Sequence, residues 1–438
     1  QAVAPFIMPV MFGLLDVKLA QVDNRSFVLG LISRRSRHRA GTRYFSRGVD
    51  AKGNVANFNE TEQFVLMDPP SFPQTHEVED VEGLFRMIFV QTRGSVPVYW
   101  AEINNLRYKP DLLIPDDKHS QSAFEKHMTN QVSCYGKNYL VNLVNQKGYE
   151  KPVKEAYENA ITKLDHPLVN YTYFDFHHEC KGMKFDRVSL LVDHLVKQGL
   201  SSHDFFSLDT TGDPRLRLQK STVRTNCMDC LDRTNVVQTT LARWVLNDQL
   251  RSVGVLKQDD SVENYPKFMY LFRNIWADHA DVISKAYSGT GALKTDFTRT
   301  GKRTTEGILQ DGVNSLTRYV KNNFFDGKRQ DAYDLITGAW DPKIYVPRED
   351  TRAWNVRLMP WIMYLSLFFL LASLFLPNGN SARPYRLEVG FVPVFSMIWI
   401  LVAFFSLCFI WQHGMQYVGW PKLNRPEELM YYSMYLFD

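Results

Sequence analysis

Arg224-Thr-Asn-Cys-Met-Asp-Cys-Leu-Asp-Arg-Thr-Asn235 is the stretch on which the reading of this chain turns. It places Cys227 and Arg233 on either side of five residues, and beyond it Val236, Val237, Leu241, Trp244 and Val245 fall on one helical face. Cleaving a phosphate ester through a cysteine needs a thiolate, a cradle for phosphate oxygens, a fixed positive charge and a proton donor for the leaving alkoxide. This spacing supplies most of them. The backbone of Met228, Asp229, Cys230, Leu231 and Asp232 can wrap with its N–H groups toward a phosphate, and Arg233 can return as a fork on two oxygens. A helix starting near Thr234 or Asn235 adds positive charge at its N-terminus and lowers the thiol pKa. The Thr234 hydroxyl can cap that helix or steady the thiolate.

Two loop carboxyls compete for the role of proton donor. Asp229 is taken as the general acid, with Asp232 holding Arg233 or the loop backbone. A carboxylate buried beside a phosphate dianion would have a raised pKa, which suits a proton carrier. Cys227 and Cys230 also form a Cys-x-x-Cys pair, which elsewhere binds zinc. Zinc needs two further ligands, for which His177, His178 and Cys180 are the compact candidates, and Arg233 would repel a cation, so no metal is expected. Cys230 reads as a structural or backup thiol able to pair with Cys227 under oxidation.

Around this loop the pattern alternates. Tyr139 to Asn145 and Tyr171 to Phe176 read as strands, Phe185 to Leu195 as an amphipathic helix, and Tyr265 to Tyr333 as mostly helical apart from a Gly-rich basic stretch at Ala292 to Thr304. The expected class is α/β, with the phosphate loop between a strand and a helix. The 438 residues are 45% apolar and 22% charged, which suits a folded chain. A net charge of +4 without a groove-tracking basic stripe argues against nucleic acid. Five irregularly spaced cysteines fit a reducing compartment. The chain opens Gln1-Ala-Val-Ala-Pro5, without an initiator Met and without the pattern of a signal peptide.

Leu358 to Leu376 and Val389 to Trp411 carry no charge over 19 and 23 residues and are long enough to cross a hydrocarbon layer of about 30 Å. Trp354, Trp361, Trp399 and Trp420 suit interface belts. Lys343, Arg348, Arg352 and Arg357 precede the first span and Lys422 and Arg425 follow the second, against Arg383 and Arg386 in the connector Pro377 to Glu388. Positive charge then places both outer flanks, and the upstream body, in the cytosol. The organisation expected is a catalytic domain over 1–337, a linker over 338–357, two spans within 358–411 and a cytosolic tail over 412–438. Fully extended, the linker reaches on the order of 65 Å.

Two further basic segments suggest anion contact. Six Arg occupy Arg34 to Arg47, with His38 among them, and serve either substrate or surface framework. Lys294, Arg299, Lys302 and Arg303, set among Gly289, Gly291 and Gly301, read as a mobile phosphate-facing loop. Asn142 and Lys147 sit at a strand end, lining the site or packing beside a turn at Gly148.

The signature loop, with both acids in place, closely resembles that of the Sac-domain phosphoinositide phosphatases. The likeness extends over Ile32 to Tyr44, Arg47 to Asp50, Asn57 to Glu62, Gln91 to Pro97, Asn142 to Gly148 and Gly289 to Gly301. With the two terminal spans, the chain is most similar to the fungal form of the family's endoplasmic-reticulum member. The resemblance implies a Sac catalytic domain with Cys227 as nucleophile and Arg233 as phosphate clamp, acting on phosphatidylinositol 4-phosphate as principal substrate, with the 3-phosphate as an additional one, without a cofactor. It also implies residence in endoplasmic reticulum and Golgi membranes, and membrane-protein partners such as the sphingolipid-synthesis machinery. Family members carry a long N-terminal Sac subdomain, most of which is expected to lie upstream of this chain. The competing functions are a phosphoprotein phosphatase and a membrane scaffold with silent catalysis.

Overall fold

The computed structural model describes residues 8–67, 85–115, 118–210, 214–341, 352–373, 375 and 391–423. Lys343, Arg348, the connector Pro377 to Glu388 and Arg425 lie outside them.

The strands are β1 (Val10–Val22), β2 (Arg25–Ser36), β3 (Asn59–Met67), β4 (Phe85–Arg93), β5 (Ala101–Ile103), β6 (Asp111–Leu113), β7 (Lys137–Asn142), β8 (Val169–Tyr173), β9 (Phe206–Asp209), β10 (Arg215–Arg217) and β11 (Ser221–Asn226). The main sheet runs β1-β2-β3-β4-β11-β7-β8, with β9 against the start of β4 and β10 beyond it, while β5 and β6 form a separate ribbon. Strands β1 to β4 are an antiparallel meander, and β11, β7 and β8 run parallel to one another and, through β11, to β4. The expected strands at Tyr139 and Tyr171 are β7 and β8.

Helices cover both faces of the parallel half. They are α1 (Lys118–Tyr135), α2 (Lys151–Leu164), α3 (Phe176–Glu179), α4 (Ser189–Lys197), α5 (Asp232–Ser252), α6 (Pro266–Ser288), α7 (Thr295–Thr300), α8 (Thr305–Val320), α9 (Asp326–Thr337), α10 (Trp354–Ser373), α11 (Phe391–Gln412) and α12 (Gly414–Tyr417). The two-residue period of β7 sorts the core. Tyr139 and Val141 pack with Val237, Leu241 and Trp276 of α5 and α6, whereas Leu140 packs with Phe124, Met128 and Tyr157 of α1 and α2. This is the expected α/β layering.

Several boundaries move for local reasons. The strand expected through Phe176 stops at Tyr173, because Asp175 caps α3 by accepting from the His178 N–H at 3.0 Å. Phe185–Val188 is a 3-10 turn that leads into α4. The basic stretch at 292–304 contains α7 rather than an open loop.

α10 and α11 are both long and apolar enough to cross a membrane. Phe369 near the end of α10 stacks on Trp399 at 4.5 Å and meets Phe395 edge-on, which makes the two helices an antiparallel hairpin. Trp361, Phe368 and Phe404 on their outer faces are exposed. After α11 the chain returns to the body. The Gly419 N–H donates to the Asn323 carbonyl at 2.8 Å, the Lys422 N–H donates to Asp331 Oδ1 at 2.9 Å, and Trp420 packs on Phe45.

Candidate active site

Every residue of β11 is buried. Its polar side chains fix it in place: Arg224 donates to the Ser95 carbonyl at 2.8 Å and to His127 Nε2 at 3.1 Å, and Asn226 Nδ2 donates to Asn142 Oδ1 at 2.9 Å. Cys227 therefore emerges from an immobile strand at the carboxyl end of the parallel strands, where open α/β sheets bind ligands. Five residues later the N-terminus of α5 points back at the same spot.

The loop curls tightly because Cys230 adopts a left-handed backbone, φ 52°, a conformation that costs an L-residue about 1–2 kcal/mol. That curl aims the Cys230 N–H at Cys227 Sγ, 3.0 Å away, and the Thr234 hydroxyl approaches the same sulfur at 3.5 Å. Burial would push the Cys227 thiol up, but the Cys230 contact, the Arg233 charge and the Thr234 hydroxyl outweigh it and bring the pKa down to about 6. The Cys230 thiol behaves oppositely. Burial and the neighbouring thiolate raise its pKa, and as a thiol it donates to the Gly94 carbonyl at 2.8 Å. One cysteine is thus a thiolate at neutral pH and the other a structural donor.

Arg233 is oriented from behind by Glu150, a residue that sequence reasoning missed. Its Nη1 and Nη2 donate to the two Glu150 carboxylate oxygens at 2.9 and 2.8 Å, and Nη1 also reaches the Leu143 carbonyl at 3.0 Å. These contacts engage the Nη1/Nη2 edge of the guanidinium and leave the Nε/Nη2 edge for two phosphate oxygens.

Asp229 does not hold a proton here. Arg43 grips it at 3.0 and 2.8 Å and Arg47 at 2.7 Å. Although burial opposes ionisation, the two guanidiniums hold its carboxyl well below the usual range. An ionised carboxylate has no proton to donate, so this geometry weighs against the general-acid role expected of Asp229. Asp232 is the loop acid shifted in the opposite direction: burial raises its pKa, while Oδ1 accepts from the Leu293 N–H at 3.1 Å. It lines a cleft beside the loop with Arg233, Leu293, Lys294, Phe176 and Phe185.

The other basic residues divide. Lys294 borders that cleft. Arg299 is bound to Asn274 at 2.8 Å and Asp278 at 2.6 Å, and Arg303 pairs with Asp296 and Asp311, so both are neutralised framework rather than phosphate ligands. Lys302 is exposed at the surface. Asn142 is fully buried under the loop, donating to the Tyr171 hydroxyl and accepting from Asn226, and it packs rather than lines the site. In the Arg34–Arg47 cluster, Arg34 pairs with Glu60 and Glu62, Arg35 donates to Tyr333, and Arg43 and Arg47 reach the loop. Arg47 also donates to Glu102 Oε2 at 2.8 Å and to the Met228 carbonyl at 2.9 Å. Beneath the loop, wholly buried Arg93 donates to Gln238 at 2.8 Å, Asn235 at 3.1 Å and the Cys230 carbonyl at 3.4 Å. Among the described residues no group of three or more His, Cys, Asp or Glu side chains could hold a metal ion.

The SacI homology domain family matches residues 1–181. Phosphatidylinositol-3-phosphatase SAC1 of Saccharomyces cerevisiae is 48% identical over 425 residues, 95% of this chain and 66% of that protein. Phosphatidylinositol-3-phosphatase SAC1-B of Danio rerio is 40% identical, covering 97% of this chain and 69% of its own length. Phosphoinositide phosphatase SAC6 of Arabidopsis thaliana is 33% identical, with 96% and 68% covered. The chain thus spans about two thirds of the length of these relatives.

Proposed function

The chain belongs to the SacI-homology phosphoinositide phosphatases, and on that premise we propose that it dephosphorylates phosphatidylinositol 4-phosphate, and also the 3-phosphate, to phosphatidylinositol. The observation that carries this reading is the Cys227 thiolate: a sulfur with a pKa of about 6, at the end of a buried strand, facing the N-terminus of α5 with Arg233 beside it. Cys227 Sγ attacks phosphorus while the bond to the inositol oxygen breaks, and that oxygen takes its proton from Asp232. Water then attacks the phosphocysteine, giving up a proton to the Asp232 carboxylate, and inorganic phosphate leaves with the thiolate restored. Arg233 and the loop amides hold the phosphoryl oxygens through both steps. Asp229 acts by pinning the loop to Arg43 and Arg47.

The membrane setting is part of the proposal. The hairpin of α10 and α11 anchors the chain in endoplasmic reticulum and Golgi membranes, with the catalytic body and both outer flanks in the cytosol, where membrane-protein partners such as the sphingolipid-synthesis machinery would meet it. The names of the SAC1 relatives specify the 3-phosphate, so isomer choice is the first thing to measure. The purified chain in liposomes, given each phosphatidylinositol monophosphate with chelator present, should release phosphate fastest from the 4-phosphate, and Cys227→Ser should release none. A wild-type chain inert on all isomers would leave the scaffold reading, and release from phosphopeptides alone would favour a phosphoprotein phosphatase.

A further inference from the structure

Helix α8 is amphipathic the wrong way round for a helix on a soluble body. Its polar side faces inward. Asp311 accepts from the Lys294 N–H at 3.0 Å and pairs with Arg303, and Arg318 donates to Thr290 Oγ1 at 2.9 Å and the Gly291 carbonyl at 2.8 Å. The outward side is a continuous apolar stripe of Ile308, Leu309, Val313, Leu316 and Val320, continued by Phe324 in the π-helical turn that follows. Leu309 and Leu316 are each 68% exposed and Val313 is 59% exposed. Scattered apolar residues at a surface are ordinary, but a contiguous helical stripe marks a surface that something covers.

The place of α8 identifies the cover. α8 runs straight into the turn at Lys321–Phe325, and there the chain leaving α11 is fastened: the Gly419 N–H bonds the Asn323 carbonyl at 2.8 Å, and the Lys422 N–H bonds Asp331 at 2.9 Å. The apolar stripe is therefore contiguous with the point at which the second apolar helix joins the body. Lys302 and Lys328, both exposed, flank it with the positive charge that suits an anionic leaflet.

We infer that α8 lies in the interfacial layer of the membrane that holds α10 and α11, with Ile308, Leu309, Val313, Leu316, Val320 and Phe324 against the acyl chains. Its inward face then carries this docking to the active site: Asp311 holds Lys294, and the adjacent Leu293 N–H holds Asp232. The phosphate loop is thereby kept at the headgroup level of the chain's own membrane. The inference deepens the proposed function and rests on its membrane-anchored reading.

The test uses the full chain in nanodiscs of phosphatidylcholine and phosphatidylserine, one copy per disc, with Cys134→Ser and Cys408→Ser and, in the quenching arm alone, Cys227→Ser to remove the reactive thiols. An environment-sensitive fluorophore is placed at Leu316→Cys or, as control, at Gln310→Cys on the polar side. Doxyl-labelled lipid should quench the probe at 316 at least threefold and the probe at 310 little. In parallel, the double variant Leu309→Glu, Leu316→Glu should lose at least tenfold in turnover of bilayer phosphatidylinositol 4-phosphate and stay within twofold on a short-chain water-soluble analogue. Equal quenching at 316 and 310, or equal loss on both substrates, overturns the inference. So does quenching that appears only with several copies per disc, which would make a second chain the occupant. Differential quenching, with the chain that retains Cys227 inert on every phosphoinositide, would sustain the docking and defeat the proposed function.

Discussion

The two loop acids predict a contrast that depends on the leaving group. Asp232→Asn keeps the carbonyl oxygen that accepts from the Leu293 N–H but removes the carboxyl proposed to supply the proton, whose pKa burial raises. On a phosphoinositide, whose leaving inositol alkoxide is strongly basic, loss of a general acid costs about 10²–10⁴ in rate. On an aryl phosphate such as 4-methylumbelliferyl phosphate the leaving group departs without a proton, and the loss should stay below about tenfold. Asp229→Asn acts differently. It removes the carboxylate from three contacts of 2.7 to 3.0 Å with Arg43 and Arg47 and leaves Arg43 without its counter-charge. At about 2–3 kcal/mol for a part-buried charged cluster, the loop loses its position and kcat/KM falls by roughly 30- to 160-fold on both substrates. The assay is steady-state kinetics of both variants on both substrates. If Asp229→Asn spares the aryl phosphate while Asp232→Asn loses both equally, the assignment of the two acids is reversed.

Other outcomes follow from the same contacts. Because the Cys227 pKa is lowered to about 6, its thiolate is present above that pH and is lost as pH falls through it. Iodoacetamide alkylation of Cys227, read by mass spectrometry against pH, should show a midpoint near 6, and Thr234→Val should move it upward. Arg233→Lys should cut turnover at least about a hundredfold on either substrate, because an ammonium cannot span two phosphate oxygens while Glu150 holds its other side. Arg47→Met strands Glu102 in the interior at a cost of about 3–5 kcal/mol. A thermal melt of the purified chain should show it, and an unchanged melting temperature would mean that Glu102 finds another partner.

The loop and its flanks were legible because their chemistry is local. The five residues between Cys227 and Arg233, the helix after them and the strand before them must be adjacent in sequence for the cradle to close. The groups that tune the loop were hidden for the opposite reason. Arg43 and Arg47 come from the turn after β2, Arg93 from the end of β4 and Glu150 from the turn before α2, and only the sheet order brings them to one place. A cluster of arginines announces charge but not its counter-charge. Arg299 and Arg303 read as phosphate ligands because Asp278 and Asp311 lie on two other helices, while Asp296 inside the same segment turns to Arg303 only once α7 forms. The charge state of Asp229 is hidden on the same ground. Burial beside a phosphate predicts a raised pKa, and two guanidiniums from elsewhere in the chain reverse it. The two long apolar helices were legible through uninterrupted apolar length, whereas α8, with Asp311 and Arg318 inside, keeps a helical period that cannot tell inward from outward.

The central claim is that Cys227 carries the phosphoryl group. Acid-quenching the chain within its first turnovers of phosphatidylinositol 4-phosphate labelled with ³²P at the 4-position, then mapping the peptides, addresses it directly. The account predicts label on the peptide containing Cys227 and neither label nor phosphate release with Cys227→Ser; sustained release by that variant would contradict it.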